Sequence, residues 1–190
     1  MQKPPNRVRI IGGRHRGRVV RFPPEPGLRP TPDRVRETLF NWLGQRLDGR
    51  TTLELFAGTG VLSLESLSRG AARAVAIDRN PRLVRALAAS AREIGVEGLE
   101  VQAADAQGWL ARDAGRYDVV FLDPPFDSDP WQWLLPAAAA HLAAGGRIYA
   151  EAGSPLEAPA GLTVVRRDKA GHVHYHLLAP TDADGDRGPP

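Results

Sequence analysis

The sequence predicts an α/β fold: a mostly parallel sheet with helices on both faces, preceded by a small β-hairpin. Three observations carry this. From Thr52 onward, short runs of strand length alternate with stretches whose apolar residues recur at helical spacing. Glycines stand where the first of those strands turns into a helix, at Ala57-Gly58-Thr59-Gly60. The run YDVVFL, residues 117–122, is apolar and bounded by Gly115 and Pro124-Pro125, the pattern of a strand buried on both faces. A chain of 190 residues suits one domain with a real core. Hydrophobic residues at 42% and charged residues at 25% fit a soluble globular protein. No stretch approaches the ~20 apolar residues of a membrane span. The opening MQKPPNRVRI lacks the apolar core of a signal peptide. Cysteine is absent, which excludes disulfides, thiolate metal sites and covalent cysteine chemistry. A cytoplasmic location fits these features.

Residues 8–22 hold two short runs, VRII and RVVRF, separated by GGRHRG, and predict a hairpin. FPPEPGLRPTP is a proline-rich connector. Thr31-Pro32 predicts a helix start, with Thr31 as N-cap and Pro32 at the first helical position. Val35, Leu39, Trp42, Leu43 and Leu47 follow at helical spacing, and Gly49 is the stop. Then come the strand TLELF, the glycine turn and the helix VLSLESLSRG. The strand ARAVAID leads through Asn80-Pro81, a helix cap, into RLVRALAASAREIG. LEVQAAD is the third strand, with a short helix through Trp109 and Leu110, and YDVVFLD the fourth. WQWLLPAAAAHLAAG is expected to be helical despite Pro136. GRIYAEA is the fifth strand, and TVVRRDKAGHVHYHLL a hairpin about Lys169-Ala170-Gly171. After Pro180 a polar, Pro/Gly-rich tail is expected to be disordered. The divisions are therefore 1–30 as a basic hairpin extension and connector, 31–179 as the main domain, and 180–190 as a tail. His172, His174 and His176 share one face of a strand and are expected to line a wet sheet surface; no metal is assigned to them.

Charge is unevenly placed. Residues 1–21 carry seven basic side chains and no acid, so against a formal net charge of +3 the remaining chain stands at −4. A basic arm on a mildly acidic body suggests a polyanionic partner. Arg7, Arg9, Arg14, Arg16 and Arg18 can neutralise phosphates, and His15 can stack on a base, which makes the arm a candidate RNA-binding element.

The candidate site lies past the carboxyl ends of the strands, where open α/β sheets bind ligands. Asp123 supplies carboxylate acceptors. Pro124 lacks an N–H and fixes the backbone, so its carbonyl is an aimed acceptor. With Pro125 and the flat face of Phe126, the tetrapeptide suits an exocyclic NH2 on a planar heterocycle. The glycine turn Gly58-Thr59-Gly60 presents helix N–H donors to a carboxylate. Glu54 beside it repels a pyrophosphate but attracts an amino group, and Ser63 stands where a dinucleotide fingerprint needs its third small residue; both disfavour NAD. Asp78 can accept from ribose hydroxyls and Asp105 from an adenine amino group. Either acid alone is more often a helix cap or a solvated loop residue than a ligand. Together the groups outline a nucleoside carrying an amino acid, S-adenosylmethionine.

These residues resemble a known group. ELFAGTG, the acid of AIDRNP, the Asp of AADA and DPPF are similar to class I S-adenosylmethionine-dependent methyltransferases that act on exocyclic amines. RIIGGRHRGR and RPTPDRVRETLFNWL narrow the likeness to the RsmD family, guanine-N2 methyltransferases of small-subunit (16S) ribosomal RNA, from about Arg9 to the last strand. The resemblance implies a Rossmann-like seven-stranded sheet and a monomer acting on ribosomal RNA or a small-subunit particle. It implies Glu54, Gly58, Thr59 and Gly60 at the methionine part, Asp78 at the ribose and Asp105 at the adenine. Phe56, Arg79 and Ala106 adjoin them. Asp123 and Pro124 would take the target amine, with Pro125 and Phe126 completing the motif, and Thr31 and Arg34 would close over the methionine carboxylate. Phe56 departs from the generic pattern, which has a glycine there. The rivals are an amino methyltransferase acting on DNA adenine N6 or a protein glutamine, and a non-catalytic RNA-binding module.

Overall fold

A computed structural model describes residues 6–125 and 128–181. The expected hairpin forms as β1 (Asn6–Arg9) and β2 (Val19–Phe22), antiparallel, with Val8 opposite Val20. Helix α1 (Asp33–Trp42) follows the connector. The main sheet then builds as β3 (Thr51–Leu55), α2 (Val61–Ser68), β4 (Arg73–Asp78), α3 (Pro81–Ile94), β5 (Leu99–Ala103), α4 (Ala106–Leu110), β6 (Tyr117–Leu122), α5 (Trp131–Ala139), β7 (Leu142–Ala152), β8 (Leu162–Ala170) and β9 (Val173–Pro180). Strand order is β5-β4-β3-β6-β7-β9-β8, with β9 antiparallel to both neighbours and the first five strands parallel. The chain begins the sheet in the middle, winds out to β5, then returns to lay β6 on the other side of β3. The β3/β6 boundary is the topological switch point, where such sheets open a ligand crevice.

Side chains of period two divide the core between the faces. Val119 and Phe121 of β6 join a cluster with α1, α2, α3 and the apolar side of the hairpin, Val8, Ile10, Val20 and Phe22. Val120 and Leu122 join the other, under α4 and α5. The hairpin thus belongs to the first core. Ser90 of α3 pins it, accepting from the Arg21 N–H at 3.2 Å and donating to the Arg21 carbonyl at 3.0 Å.

Four expectations need correction. Pro32, not Thr31, is the N-cap of α1, and the helix stops at Trp42, because the Thr31 hydroxyl is used elsewhere and Gly44 and Gln45 take left-handed backbone. Phe56 lies beyond β3 with φ 60°, a left-handed conformation unusual for an aromatic residue. The segment LAAGG belongs to the start of β7 rather than to the end of α5, since β6 offers it a partner strand. His176 does not face water: it is 1% exposed, its Nε2 accepts from the Leu156 N–H at 3.1 Å, and its Nδ1 lies 3.4 Å from the Ala150 carbonyl. Both ring nitrogens serve the fold. The tail expected to be disordered falls, from residue 182 on, outside the described residues.

Candidate functional site

The glycine turn is held from three sides. Asp78, at the end of β4, accepts from the Gly58 N–H at 2.7 Å and from the Asn80 N–H at 2.8 Å, one on each carboxylate oxygen. It ties the turn to the neighbouring strand and keeps a second lone pair on each oxygen. Gly58 and Gly60 have φ of 53° and 66°. A Cβ on Gly58 would lie 2.8 Å from Leu28 of the connector, and one on Gly60 would lie 2.2 Å from Leu87 of α3. Among the described residues the Thr59 N–H finds no acceptor, an unpaired donor at a buried position that suits an anionic ligand group.

Glu54 is 5% exposed. Its Oε2 accepts from the Ser63 N–H at 2.9 Å and the Ser63 hydroxyl at 2.5 Å, capping the start of α2 from the strand below. Burial pushes its carboxyl up to about 7, against the Ser63 and Leu62 donors that hold it down; the charge of Asp78 adds to the rise. Asp105 is the N-cap of α4, accepting from the Gly108 N–H at 2.8 Å on one oxygen. The cap reading and the ligand reading are compatible there, because the residue is exposed and the other oxygen is unused. Arg79 is exposed beside Asp78, Ala106 is buried under Asp105, and Phe56 packs its ring against the second core.

On the far side of the switch point β6 delivers Asp123 and Pro124. Among the described residues neither the Asp123 carboxylate nor the Pro124 carbonyl has a hydrogen-bond donor. Pro124 is buried and Pro125 exposed; the Pro125 carbonyl accepts from the Ser128 N–H at 3.0 Å and hydroxyl at 2.6 Å, closing a turn. Phe126 lies outside the described residues. Burial raises the Asp123 carboxyl well above the ordinary aspartate range, and the charges of Glu151 and Glu54 push the same way.

Two residues paired by the resemblance part company. Thr31 is buried, and its hydroxyl donates to Glu151 Oε1 at 3.0 Å, behind the rim. Arg34 is exposed on α1, where its charge acts on Asp168 of β8 and Tyr175 of β9. The arm also divides. Arg7 and Arg9 line a hollow of about 430 Å³ with Pro30, Thr31 and Asp33, at the start of α1. Arg14 and Arg16 line a larger open hollow of about 1020 Å³ with Arg46, Asp48 and Gly70. That second hollow is at the opposite end of the parallel strands from the rim, since Asp48 precedes β3 and Gly70 follows α2. Arg18 donates to the Glu93 carbonyl at 3.2 Å and the Ile94 carbonyl at 3.4 Å, capping the end of α3. His15 is half-buried, and burial, with Arg14 and Arg18 beside it, lowers its pKa.

The family model described as "Conserved hypothetical protein 95" matches residues 8–179. The "Ribosomal RNA small subunit methyltransferase D" of Escherichia coli K12 is 37% identical over 188 residues, 94% of each chain. The chain belongs to the RsmD family. Its Haemophilus influenzae relative of the same name is 33% identical over 184 residues, 90% of this chain and 92% of the relative. The solved structure of the Escherichia coli protein yhhF is 37% identical with a TM-score of 0.82, covering 92% of this chain and 98% of that one. SMU.776, solved in complex with SAH, is 15% identical and shares the fold, with a TM-score of 0.73 over 94% of this chain and 56% of that one. This RsmD-family chain is an S-adenosylmethionine-dependent methyltransferase with a Rossmann-like fold. No helix among the described residues is long and apolar enough to cross a membrane.

Sequence reasoning overlooked two groups in this RsmD-family structure. Arg36 is fully buried and pairs with Glu65 of α2 at 2.5 Å, while donating to the Arg9 and Thr31 carbonyls at 3.0 Å each. Glu65 also accepts from the Ile11 N–H at 2.6 Å. One ion pair therefore fastens hairpin, connector, α1 and α2. The signal was an arginine three residues before Leu39 and four before Phe40, on the buried side of a helix. Glu151 was the other; nothing in IYAEAG marks its glutamate as functional.

Proposed function

We propose that this methyltransferase moves the methyl group of S-adenosylmethionine to the exocyclic N2 of a guanine in small-subunit ribosomal RNA. The observation that carries the proposal is the pair of unused acceptors, the Asp123 carboxylate and the Pro124 carbonyl, across the switch point from the glycine turn. The names of the Escherichia coli and Haemophilus influenzae relatives support ribosomal RNA as substrate.

The cofactor, when bound, supplies an electrophilic methyl on a sulfonium; the chain's own residues do the rest. The Thr59 N–H and the start of α2 hold its carboxylate, and Glu54 its amino group. The free lone pairs of Asp78 accept from the ribose, and Asp105 from the adenine amine, with Phe56, Gly58, Gly60, Arg79 and Ala106 shaping the walls. Asp123 and Pro124 accept from the guanine NH2 and turn its lone pair toward the methyl. The nitrogen is a poor nucleophile because its lone pair is delocalised into the ring, so orientation and charge stabilisation supply most of the rate. The alkylated nitrogen is cationic and loses its proton readily, so no strong base is needed. The target base must leave its stack to reach the rim. Residues 1–30 serve as the docking extension for RNA, acting in the cytoplasm on the particle or its assembly intermediate, and residues 31–179 as the catalytic domain.

Asp123→Ala tests this. Methyl transfer to small-subunit particles, free RNA and DNA is measured with radiolabelled cofactor, followed by nucleoside analysis, beside calorimetry of cofactor binding. Transfer falls at least ~100-fold, the scale of losing a transition-state acceptor, while binding survives. Wild-type turnover in the variant, or label recovered in DNA adenine or in protein, overturns the assignment.

A further inference from the structure

Three carboxyl groups stand on one face of the sheet at the rim. Glu54 of β3, Asp123 after β6 and Glu151 of β7 lie on adjacent strands. Each alternates with residues of the first core: Phe121 is two before Asp123, and Tyr149 two before Glu151. Leu122 pairs with Ala150, so Asp123 and Glu151 are the next step of the same register. Glu151 is 3% exposed, and its Oε1 accepts from the Tyr149 and Thr31 hydroxyls at 3.0 Å each. Its Oε2 receives no donor among the described residues.

Among the described residues none of the three makes an ion pair, and the buried cation of this core, Arg36, is committed to Glu65 and Asp33. Among the described residues the other titratable groups around them are Asp78, Tyr149 and Tyr175, which bring no positive charge. Glu54 and Glu151 are buried and Asp123 is half-buried beside them; three neighbouring carboxylates there without a cation repel one another as three anions. They need protons or a positive ligand.

We propose that Glu151, with Asp123 and Glu54, forms a proton reservoir that is exchanged for the positive charge of the cofactor sulfonium, so that Asp123 is ionised only in the loaded enzyme. Glu151 is a positioning residue in this scheme: it reaches the substrate through Asp123, and it is held in place by Thr31 from the connector and Tyr149 from its own strand. On loading, a proton leaves the cluster for solvent and a carboxylate is left beside the sulfonium. Asp123 then offers both oxygens as acceptors to the target NH2. With no sulfonium charge facing it after transfer, the cluster would take a proton back from solvent and its carboxylates would no longer favour the ligand electrostatically. The raised proton affinities of all three carboxyls agree with this. The inference rests on the cofactor site proposed above.

The test compares S-adenosylmethionine with S-adenosylhomocysteine, which share every group except the charged methyl sulfonium. Calorimetry at pH 7 in buffers of differing ionisation enthalpy counts the protons released by each. Wild type releases on the order of half a proton more with the sulfonium. Glu151→Gln keeps an oxygen acceptor for Thr31 and Tyr149 but removes the titrating group, and the excess falls below about a third of the wild-type value. Equal counts for the two ligands in wild type overturn the inference even if the variant fails to fold. An unchanged excess in a folded Glu151→Gln protein overturns the part assigned to Glu151. Failure of wild type to bind either ligand overturns the proposed site itself, a result distinct from binding with equal counts.

Discussion

Replacing Arg36 by methionine probes the joint on which the N-terminal hairpin and the connector depend. The side chain is fully buried, so methionine fills much of its volume and the change is chiefly electrical. It removes the 2.5 Å pair with Glu65 and the bonds to the Arg9 and Thr31 carbonyls. Breaking a buried pair on one side costs about 3–5 kcal/mol, because the other charge stays buried. Here the lower part of that range applies, since Glu65 keeps the Ile11 N–H at 2.6 Å and Arg69 at 3.3 Å. A decrease of about 3 kcal/mol in urea denaturation is therefore expected. The pH dependence checks the cause. Burial already holds the Glu65 carboxyl above its ordinary range, and removing Arg36 raises it further. A carboxyl raised in the folded state favours folding below its unfolded pKa and loses that contribution as pH rises through the folded value. The deficit of Arg36→Met should thus shrink as pH falls from about 8 toward 5. A decrease below about 1 kcal/mol, or a deficit that widens on acidification, would refute the account.

Glu54→Gln should flatten the stability of the unliganded protein between pH 5 and 8. The wild-type carboxyl, raised from 4.5 to about 7, costs stability as pH climbs through that interval, by up to roughly 3 kcal/mol, and Gln can still accept from Ser63. Thermal denaturation across the range measures it, and parallel curves for the two proteins would contradict the assignment. Arg14→Ala with Arg16→Ala should weaken RNA binding and leave cofactor affinity unchanged. The slope of log affinity against log salt should become shallower by about 0.7 for each phosphate no longer neutralised. An unaltered slope would take the distal hollow out of the docking surface.

Much of this was legible in the residues alone. The alternation of strand and helix periods fixed the parallel sheet, because burial on two faces leaves a pattern that no other arrangement of YDVVFL or ARAVAID satisfies as well. Gly58, Gly60, Asp78 and Asp123 could be placed at strand ends, since in such a sheet every carboxyl end opens on the same rim. The hairpin was equally readable from the runs VRII and RVVRF on either side of GGRHRG. What the tertiary structure alone decided was where charges find partners. Arg36 and Glu65 are 29 residues apart, Thr31 and Glu151 are 120 apart, and no local period records such a meeting. Likewise the arm's arginines form one basic run in sequence but two separate groups in space, with Arg18 diverted to the end of α3. Apolar patterning is a local signal because burial acts residue by residue, whereas the state of a buried charge depends on whichever distant segment the fold brings against it.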